Sequence, residues 1–317
     1  MKTVYLIMAS LLAAAPAWAC QQAPRAIIDI DANSYYSDAN HSVIDPARRA
    51  KNIASTRPVE DFLSGVARSA SRYQASGKPA DAACALGWLA QWAGSGAMLG
   101  RMSSAQAYSV RKWTLGGLAL SYARVREAAT PAQRQAIDAW LGALADATIS
   151  HAQVRKGVRN NHYYWEGMAV TAVGAVTKNQ RYLAWGREVF DFAMGQVAED
   201  GSLPAEMARG AKALHYHVFA AAPLAMIESM LDLQSLSFER VVKFTLAAAS
   251  DSSALKKTTG FKQEKPDSMP FVLIYQRHHG QAASAATDPA AAAAKATWQA
   301  RLGGDLTLPN PLEHPAP

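Results

Sequence analysis

Apolar side chains recur at intervals of three and four residues along most of this 317-residue chain, and short turns separate these stretches. This spacing is typical of α-helices that bury one face. Pro58, Pro79 and Thr130-Pro131 mark helix starts, because proline fits the first helical turn and threonine caps it. Strand patterns are scarce, and only Phe271–Tyr275 is a clear apolar run with β-branched residues. The pattern predicts an all-α protein of antiparallel helical hairpins.

The later part of the chain shows the same alternation of apolar helices and polar connections. Helices are predicted over His162–Val176, Gln180–Val197, Arg209–Leu233 and Phe238–Ser250. The lysine-rich segment Ser252–Asp267 is expected to be an exposed loop, and the alanine-rich segment Ala282–Ala296 a surface helix or a tail.

The first 19 residues have the composition of a secretory signal peptide. A charged start at Lys2 is followed by an apolar stretch and by Ala17-Trp18-Ala19, which is typical of a cleavage site. We expect a periplasmic or secreted protein in which residues 20–317 form one domain, a monomer without membrane insertion. An oxidising compartment permits a disulfide between Cys20 and Cys84, and the alternative is two unrelated thiols.

The charge balance narrows the class of partner. The chain has 32 Lys and Arg against 25 Asp and Glu, a formal net charge of +7, without a run of five like charges. Dispersed positive charge argues against a nucleic-acid arm or a polybasic membrane tail and favours an anionic substrate. Two cysteines exclude a four-cysteine zinc site and a disulfide-dense scaffold.

A first polar cluster lies at the start of a predicted helix, where residues 159–165 read Arg-Asn-Asn-His-Tyr-Tyr-Trp. One asparagine can be explained as a helix cap, since asparagine caps well and is a poor residue inside a helix. A cap does not explain two asparagines between an arginine and a histidine. The cluster therefore indicates a functional site.

A second cluster runs from Glu206 to His217 and also contains Arg209, Lys212, His215 and Tyr216. If a helix begins at Arg209, then Arg209, Lys212 and Tyr216 share one face. The alternative is a solvated basic face. Because the sequence turns apolar directly afterwards, a polar site above a buried helix is the favoured interpretation.

The residue types of the two clusters suit one reaction. Arg, Asn and His can bind and neutralise a carboxylate, which acidifies the proton on the adjacent carbon. A tyrosine whose pKa is lowered from about 10 by cationic neighbours can take that proton and return it to a leaving group. Together they predict β-elimination across a uronic acid: the C5 proton leaves, the 4-O-glycosidic bond breaks and an unsaturated ring remains.

Two other kinds of site fit less well. A zinc site needs three ligands, whereas His215 and His217 would point to different sides of a helix and His278-His279 are adjacent, so no metal or cofactor is expected. A glycoside hydrolase needs two carboxylates, which Glu166 and Glu206 could supply. A non-catalytic protein that binds anionic polysaccharide is the remaining alternative.

Five ordered motifs resemble polysaccharide lyase family five, the alginate lyase family. They are Asn160–Trp165, Arg209–His217, Cys84–Trp92, Val110–Trp113 and Arg301–Thr307. The resemblance covers most of the mature chain. It implies an incomplete α/α toroid, a lyase acting on polyuronates without a metal, and an anionic polysaccharide as the partner.

The resemblance also implies residue roles. Asn161, His162 and Arg209 stand where the family neutralises the substrate carboxylate, and Tyr216 stands at its catalytic tyrosine. Further substrate contacts are expected from side chains beside these residues and from an N-terminal lid at about residues 31–50: Tyr35, His41, Arg159, Tyr163, Trp165, Lys212, His215, Tyr275 and Arg277.

The chain departs from the family at two substrate-facing places. The lid stretch Tyr35–His41 lacks the usual lysine, for which Arg48, Arg49 or His41 could substitute, and Leu273 stands where a glutamate is common. A single tyrosine acting as base and acid works from one face, so the C5 hydrogen and the 4-oxygen must be syn. Polymannuronate is therefore the leading expected substrate, followed by polyglucuronate or another glucuronate-containing glycan.

Overall fold

The computed structural model describes residues 20–38, 43–280 and 297–314. The expected signal peptide, His41 and the alanine-rich segment 282–296 lie outside the described residues. The longer helices are α1 (Pro46–Ser76), α2 (Pro79–Gly94), α3 (Ala105–Val125), α4 (Pro131–Val154), α5 (Asn161–Thr177) and α6 (Gln180–Met194). They are followed by α7 (Pro204–Met207), α8 (Ala213–Met230), α9 (Leu236–Ser250), α10 (Ser253–Thr259), α11 (Phe271–His278) and the two-residue strands β1 (Trp298–Gln299) and β2 (Gly304–Asp305).

Local capping explains several helix starts. The Asp45 side chain accepts a hydrogen bond from the Arg48 N–H at the start of α1. Thr130 and Gln133 form a reciprocal capping box at the start of α4. Such caps satisfy N–H groups that have no partner within the helix. The prediction for α4 is therefore confirmed in its details.

The centre of the fold is formed by α3, α5 and α8, whose residues are buried on nearly every side. Helix α5 packs against α3, α6, α8 and α4. A helix that is apolar all round needs neighbours on all sides. The inner helices therefore hold the first turn of α5, which begins at Asn161, in a fixed place.

The C-terminal part of the chain returns to α3. A 3₁₀ turn, Ala300–Leu302, connects β1 to β2, which pair antiparallel, and it packs on α3 beside Gly117. A Cβ atom at Gly117 would lie 2.3 Å from the Ala300 carbonyl oxygen. The absence of a side chain there lets Arg301 approach Trp113 on α3.

An N-terminal arm, residues 20–38, lies across the helices. Cys20 forms a disulfide with Cys84 of α2. The indole nitrogens of Trp88 and Trp92 donate to main-chain carbonyls of the arm at 2.8 and 2.9 Å. The arm is thus fixed to α2 by one covalent bond and two hydrogen bonds.

Three local predictions are wrong. Pro58 lies inside α1, which begins at Pro46. Phe271–Tyr275 is helical, because an apolar run of five residues has the same composition in a short buried helix as in a strand. The segment Ser252–Asp267 contains α10 and the buried side chains of Leu255 and Gln263, rather than being a loop exposed throughout. Within the described ranges, we find no helix with the length and apolarity to span a bilayer.

Candidate active site

Three adjoining cavities of about 320, 450 and 400 Å³ form a cleft on the helical core. The central cavity of about 320 Å³ is lined by side chains from both sequence clusters, from the N-terminal arm and from the C-terminal part. Its polar and aromatic walls include Tyr35, Tyr36, His162, His215, Tyr216 and Arg301. Arg301 lines all three cavities and so marks their junction.

The two asparagines at the start of α5 have different tasks. The Asn160 side chain caps the helix by accepting from the His162 N–H at 3.1 Å. Asn161 is fully buried, and its main-chain N–H and its Nδ2 donate to the two carboxylate oxygens of Glu206 at 2.8 and 2.9 Å. The Asn161 Oδ1 atom is buried without a hydrogen-bond partner among the described residues. Glu206 therefore fixes which way the Asn161 amide faces.

His162 presents its ring to the central cavity. Nδ1 lies 3.3 Å from the Ser109 hydroxyl, and the ring stacks on Trp113 with centroids 6.1 Å apart. Its main-chain carbonyl accepts from the buried Lys112 ammonium at 2.9 Å. Helix α3 thus contacts both the ring and the main-chain carbonyl of His162.

Tyr216 lies in the wall of the central cavity, in contact with a tyrosine and an arginine. Its hydroxyl is 3.2 Å from that of Tyr36, and the Arg209 guanidinium carbon is 3.4 Å from the Tyr216 ring centroid. Burial raises the pKa of Tyr216 above its usual value, although Arg209 and Tyr36 act in the opposite direction. The expectation that cationic neighbours would lower this pKa is wrong for the free protein, because desolvation outweighs them. Tyr216 is therefore a neutral phenol at neutral pH.

The segment before α8 differs from the predicted continuous helix. Arg209 precedes a 3₁₀ turn, Gly210–Lys212, and α8 begins only at Ala213. His217 holds this segment in place: its Nε2 accepts from the Leu203 N–H at 2.9 Å, and its Nδ1 lies 2.8 Å from the Ala213 carbonyl. Arg209 thus reaches Tyr216 through a turn rather than along one helical face.

Main-chain hydrogen bonds join the described residues on the two sides of the lid segment, 35–38 and 43–45. Asp45 and Ser37 donate main-chain N–H bonds to the carbonyls of Tyr35 and Val43 at 2.8 and 2.9 Å. Arg48 donates to the Tyr36 carbonyl at 3.1 Å, so its side chain supports the lid. Burial raises the pKa of Tyr35 to about 12. Burial also raises the pKa of Tyr36, so the Tyr35 and Tyr36 phenols that line the central cavity are neutral at neutral pH.

Two predicted substrate contacts in the first cluster lie away from the cleft. Tyr163 is buried against Trp185 and Phe192 of α6, and the Arg159 guanidinium carbon lies 4.6 Å from the Tyr163 ring centroid. Successive residues of a helix point about 100° apart, so Tyr163 cannot face the same way as His162. Trp165, one turn after His162, does line the second cavity.

Three more predicted contacts have structural partners. Lys212 pairs with Glu264 at 2.9 Å, and Arg277 donates to both Glu313 oxygens at 2.9 and 3.0 Å. Tyr275 packs between Phe238 and His279. None of the three lines the three cavities, as is also true of Asn161 and Arg209, and substrate contact by Lys212, Tyr275 and Arg277 stays a prediction.

Sequence reasoning assigned no role to several cleft residues, among them Tyr36, Trp113 and Arg301. Tyr36 lies within the lid stretch Tyr35–His41, and Trp113 and Arg301 belong to two of the family motifs. The Arg301 guanidinium carbon lies 4.4 Å from the Trp113 ring centroid, and its Nη2 is 3.1 Å from a Glu60 oxygen. The sequence offered only the two motifs that contain Trp113 and Arg301, without a role for either. The contact between these two residues depends on packing between distant parts of the chain.

The carboxylates proposed for hydrolysis are unsuited to it. Glu166 is 1% exposed and bound by Lys112 at 3.2 Å and Arg155 at 3.1 Å. Glu206 is fully buried on Asn161. Neither carboxylate lines the cleft. Hydrolysis requires both to reach the glycosidic bond.

One buried group outside the cleft has the residue types of a metal site. Ligand atoms of Glu228, His278 and His279 lie within 4.8 Å of one another. However, both ring nitrogens of His278 already face main-chain carbonyls, those of His314 at 2.6 Å and Leu233 at 2.7 Å. Both ring nitrogens of His278 are thus engaged by the main chain in this conformation.

Comparisons with known proteins agree with this geometry. The family model for alginate lyases matches residues 29–254. A polysaccharide lyase of Stenotrophomonas maltophilia strain K279a is 37% identical over 314 residues, covering 95% of this chain and 94% of the relative. An alginate lyase of Pseudomonas putida strain GB-1 is 32% identical over 303 residues, covering 83% and 78%.

Solved structures show the same architecture. Alginate lyase A1-III from Sphingomonas species A1 is 25% identical, with a TM-score of 0.73 over 90% of this chain and 85% of that chain. A tetrasaccharide complex of an A1-III variant gives a TM-score of 0.76 at 24% identity, over 90% and 84%. The expected α/α toroid is thereby confirmed. With the family model matching most of its length and relatives above 30% identity, the chain belongs to the alginate lyase family.

Proposed function

We propose that this protein cleaves 1,4-linked uronate polymers by metal-independent syn β-elimination, leaving a 4,5-unsaturated uronate end. The observation that carries the proposal is a phenol and an imidazole in one cavity wall, with a guanidinium stacked on the phenol. Tyr216 and His162 line the central cavity, and the Arg209 guanidinium carbon lies 3.4 Å from the Tyr216 ring centroid. The carboxylates of the alternative hydrolase mechanism are buried elsewhere.

The first task of the site is to neutralise the substrate carboxylate. In the proposed mechanism His162, Arg209 and the amide of Asn161 take this part. Hydrogen bonds to the carboxylate stabilise the charge that develops when the C5 proton leaves. Helix α3 holds His162 in place before substrate binds. The Asn161 Nδ2 already donates to Glu206, so its second hydrogen would have to serve the substrate carboxylate.

The second task is proton transfer, which we assign to Tyr216. As phenolate it removes the C5 proton, and the resulting phenol donates that proton to the 4-oxygen as the glycosidic bond breaks. One fragment gains the C4–C5 double bond and the other a hydroxyl group. Because burial raises the pKa of Tyr216, the phenolate forms only against a cost that Arg209 reduces. The rate should therefore rise with pH while Tyr216 is being deprotonated.

The substrate assignment rests on stereochemistry and on the relatives. A single tyrosine serves both steps only when the C5 hydrogen and 4-oxygen are syn, as in mannuronate and glucuronate. The relatives named alginate lyases support alginate as the substrate. With the stereochemical argument, we rank polymannuronate first and polyglucuronate or another glucuronate-containing glycan second. Arg49, Arg57 and Arg301 line one end of the cleft and suit a chain of carboxylates.

We further propose that the protein acts in the periplasm or outside the cell as a monomer. The signal-like composition of residues 1–19 supports export, and a disulfide between Cys20 and Cys84 suits an oxidising compartment.

The decisive experiment mixes the protein with polymannuronate, polyglucuronate and polyguluronate and follows ultraviolet absorbance and reducing ends. Elimination produces a conjugated enoate, hydrolysis produces reducing ends without it, and a binding protein produces neither. We expect enoate from polymannuronate first, and none from polyguluronate.

Tyr216→Phe tests the assignment of the base. The change removes one oxygen atom and should lower turnover at least about a hundredfold. Tyr163→Phe is the matched control, since that buried hydroxyl contacts Arg159 away from the cleft. Circular dichroism must show both variants folded. Near-normal turnover by Tyr216→Phe would refute the mechanism.

A further inference from the structure

Helix α3 touches His162 at three points. Lys112 donates to its main-chain carbonyl, Trp113 stacks on its ring and Ser109 lies 3.3 Å from its Nδ1 atom. Lys112 is itself fixed, because its ammonium also lies 3.2 Å from Glu166, which Arg155 binds from the other side. The backbone and the ring plane of His162 are therefore set by contacts that do not depend on substrate.

The Ser109 hydroxyl decides the remaining property, which ring nitrogen carries the proton. The hydroxyl oxygen lies 3.1 Å from the carbonyl of Ala105, one turn earlier in α3. A carbonyl can only accept, and a serine has a single hydrogen to donate. Bonding to the carbonyl four residues back is the usual arrangement of a helical serine, and Ser121 in the same helix makes it to Gly117 at 2.7 Å. With its hydrogen on Ala105, Ser109 must accept from His162, so Nδ1 is the donor.

We propose that Ser109 is a positioning residue that fixes the Nδ1-protonated form of His162, so that Nε2 is the nitrogen that meets the substrate. In the neutral ring, Nε2 then has a lone pair. A uronate carboxylate only accepts hydrogen bonds, so His162 must bind it as the doubly protonated imidazolium. Its Nδ1–H then donates to the Ser109 hydroxyl oxygen and its Nε2–H to the substrate carboxylate. This step rests on the proposed function, whereas the assignment of the protonated nitrogen does not.

Several groups around His162 influence its charge. Among the described residues, the titratable or charged side chains that share its cavity or its backbone contacts are Tyr35, Tyr36, Lys112, Glu166, His215, Tyr216 and Arg301. Because this environment is mixed, the tautomer is better measured directly than inferred from a pH profile.

The test is nitrogen-15 NMR of the free protein labelled at histidine, with long-range proton–nitrogen correlations recorded at a pH where the ring is neutral. His162→Gln identifies the His162 signals by their loss. We expect the pattern of the Nδ1-protonated tautomer. The Nε2-protonated pattern in the unaltered protein would overturn the proposal.

Ser109→Ala, which removes only the hydroxyl, should shift His162 towards the Nε2-protonated form and lower kcat/KM about fivefold, the value of one ordinary hydrogen bond. Ser121→Ala is the matched control, a buried serine of the same helix remote from His162, and should change neither reading. An unchanged tautomer in Ser109→Ala would also refute the proposal. If no uronate polymer is cleaved by the unaltered protein, the proposed function fails while the tautomer result still decides the role of Ser109.

Discussion

The buried side chain of His217 makes the free energy of unfolding depend on pH, and the size of the effect can be calculated. The ring is fully buried and bridges Leu203 and Ala213, with one nitrogen accepting and the other donating. Only the neutral ring can do both. Burial lowers the pKa of His217 from 6.5 to about 4. The unfolded chain therefore takes up a proton at a pH where the folded protein does not.

The sign and size follow from linkage. Since the unfolded state binds more protons between pH 6.5 and pH 4, the free energy of unfolding falls as pH falls through this window. With these two pKa values, the loss between pH 7 and pH 5 is about 2 kcal/mol. The segment that His217 holds carries Glu206 and Arg209, so acid should disturb the site as well as the fold.

Urea unfolding followed by tryptophan fluorescence at pH 7, 6 and 5 tests this reasoning. His217→Gln cannot be protonated, so it should be about 1 kcal/mol less stable than the parent at pH 7, through weaker hydrogen bonds, and as stable or more stable at pH 5. His314→Gln replaces an exposed ring and should follow the parent at every pH. A constant difference between His217→Gln and the parent from pH 7 to pH 5 would refute the argument.

Three further outcomes are expected. Treatment with a chelator should leave activity on the best polymer intact; loss of activity that a divalent ion restores would contradict carboxylate neutralisation by side chains. Cys84→Ser should lower the free energy of unfolding by about 4 kcal/mol, measured by urea titration, because the disulfide closes a loop with a sequence separation of 64. Gly117→Ala should lower the free energy of unfolding by about 2 kcal/mol or more and weaken substrate binding by displacing Arg301. Its control, Gly87→Ala on an open helix surface, should leave the free energy of unfolding unchanged or raise it by up to about 1 kcal/mol in the same titration.

The helical architecture could be predicted because apolar spacing is a local property. The start of α1 could not, because Pro58 carried the signal of a helix start, while the true start at Pro46 uses an Asp45 cap in a polar stretch. Proline inside a helix removes one hydrogen bond, and packing of residues such as Phe62 in the core outweighs that cost here.

The cleft was predictable only where its residues lie in one local cluster. His162 and Tyr216 were found because they stand among polar residues at the mouths of apolar helices. Adjacency along the chain misled for Tyr163, since helical rotation turns it to α6. Arg301 reaches Trp113 across almost two hundred residues of sequence, a contact that only the packed structure reveals.

The electrostatic prediction for Tyr216 failed for a different physical reason. The sequence shows that Arg209 and Lys212 are near in the chain, but it does not show burial. In the folded protein the Lys212 ammonium pairs with Glu264, and desolvation of the Tyr216 phenol outweighs the effect of the Arg209 guanidinium beside it.

The attachment of the N-terminal arm at both ends has a practical consequence for protein engineering. The disulfide at Cys20 anchors one end and the capped start of α1 at Asp45 anchors the other, while Tyr35 and Tyr36 between them form part of the cleft wall. Residues 21–44 can therefore be replaced as a unit, because the Cys20 disulfide and the Asp45 cap would hold the two ends of a segment grafted from a relative. Libraries of such grafts that keep the buried Ile30 and Ala32 offer a direct route to new polymer selectivity.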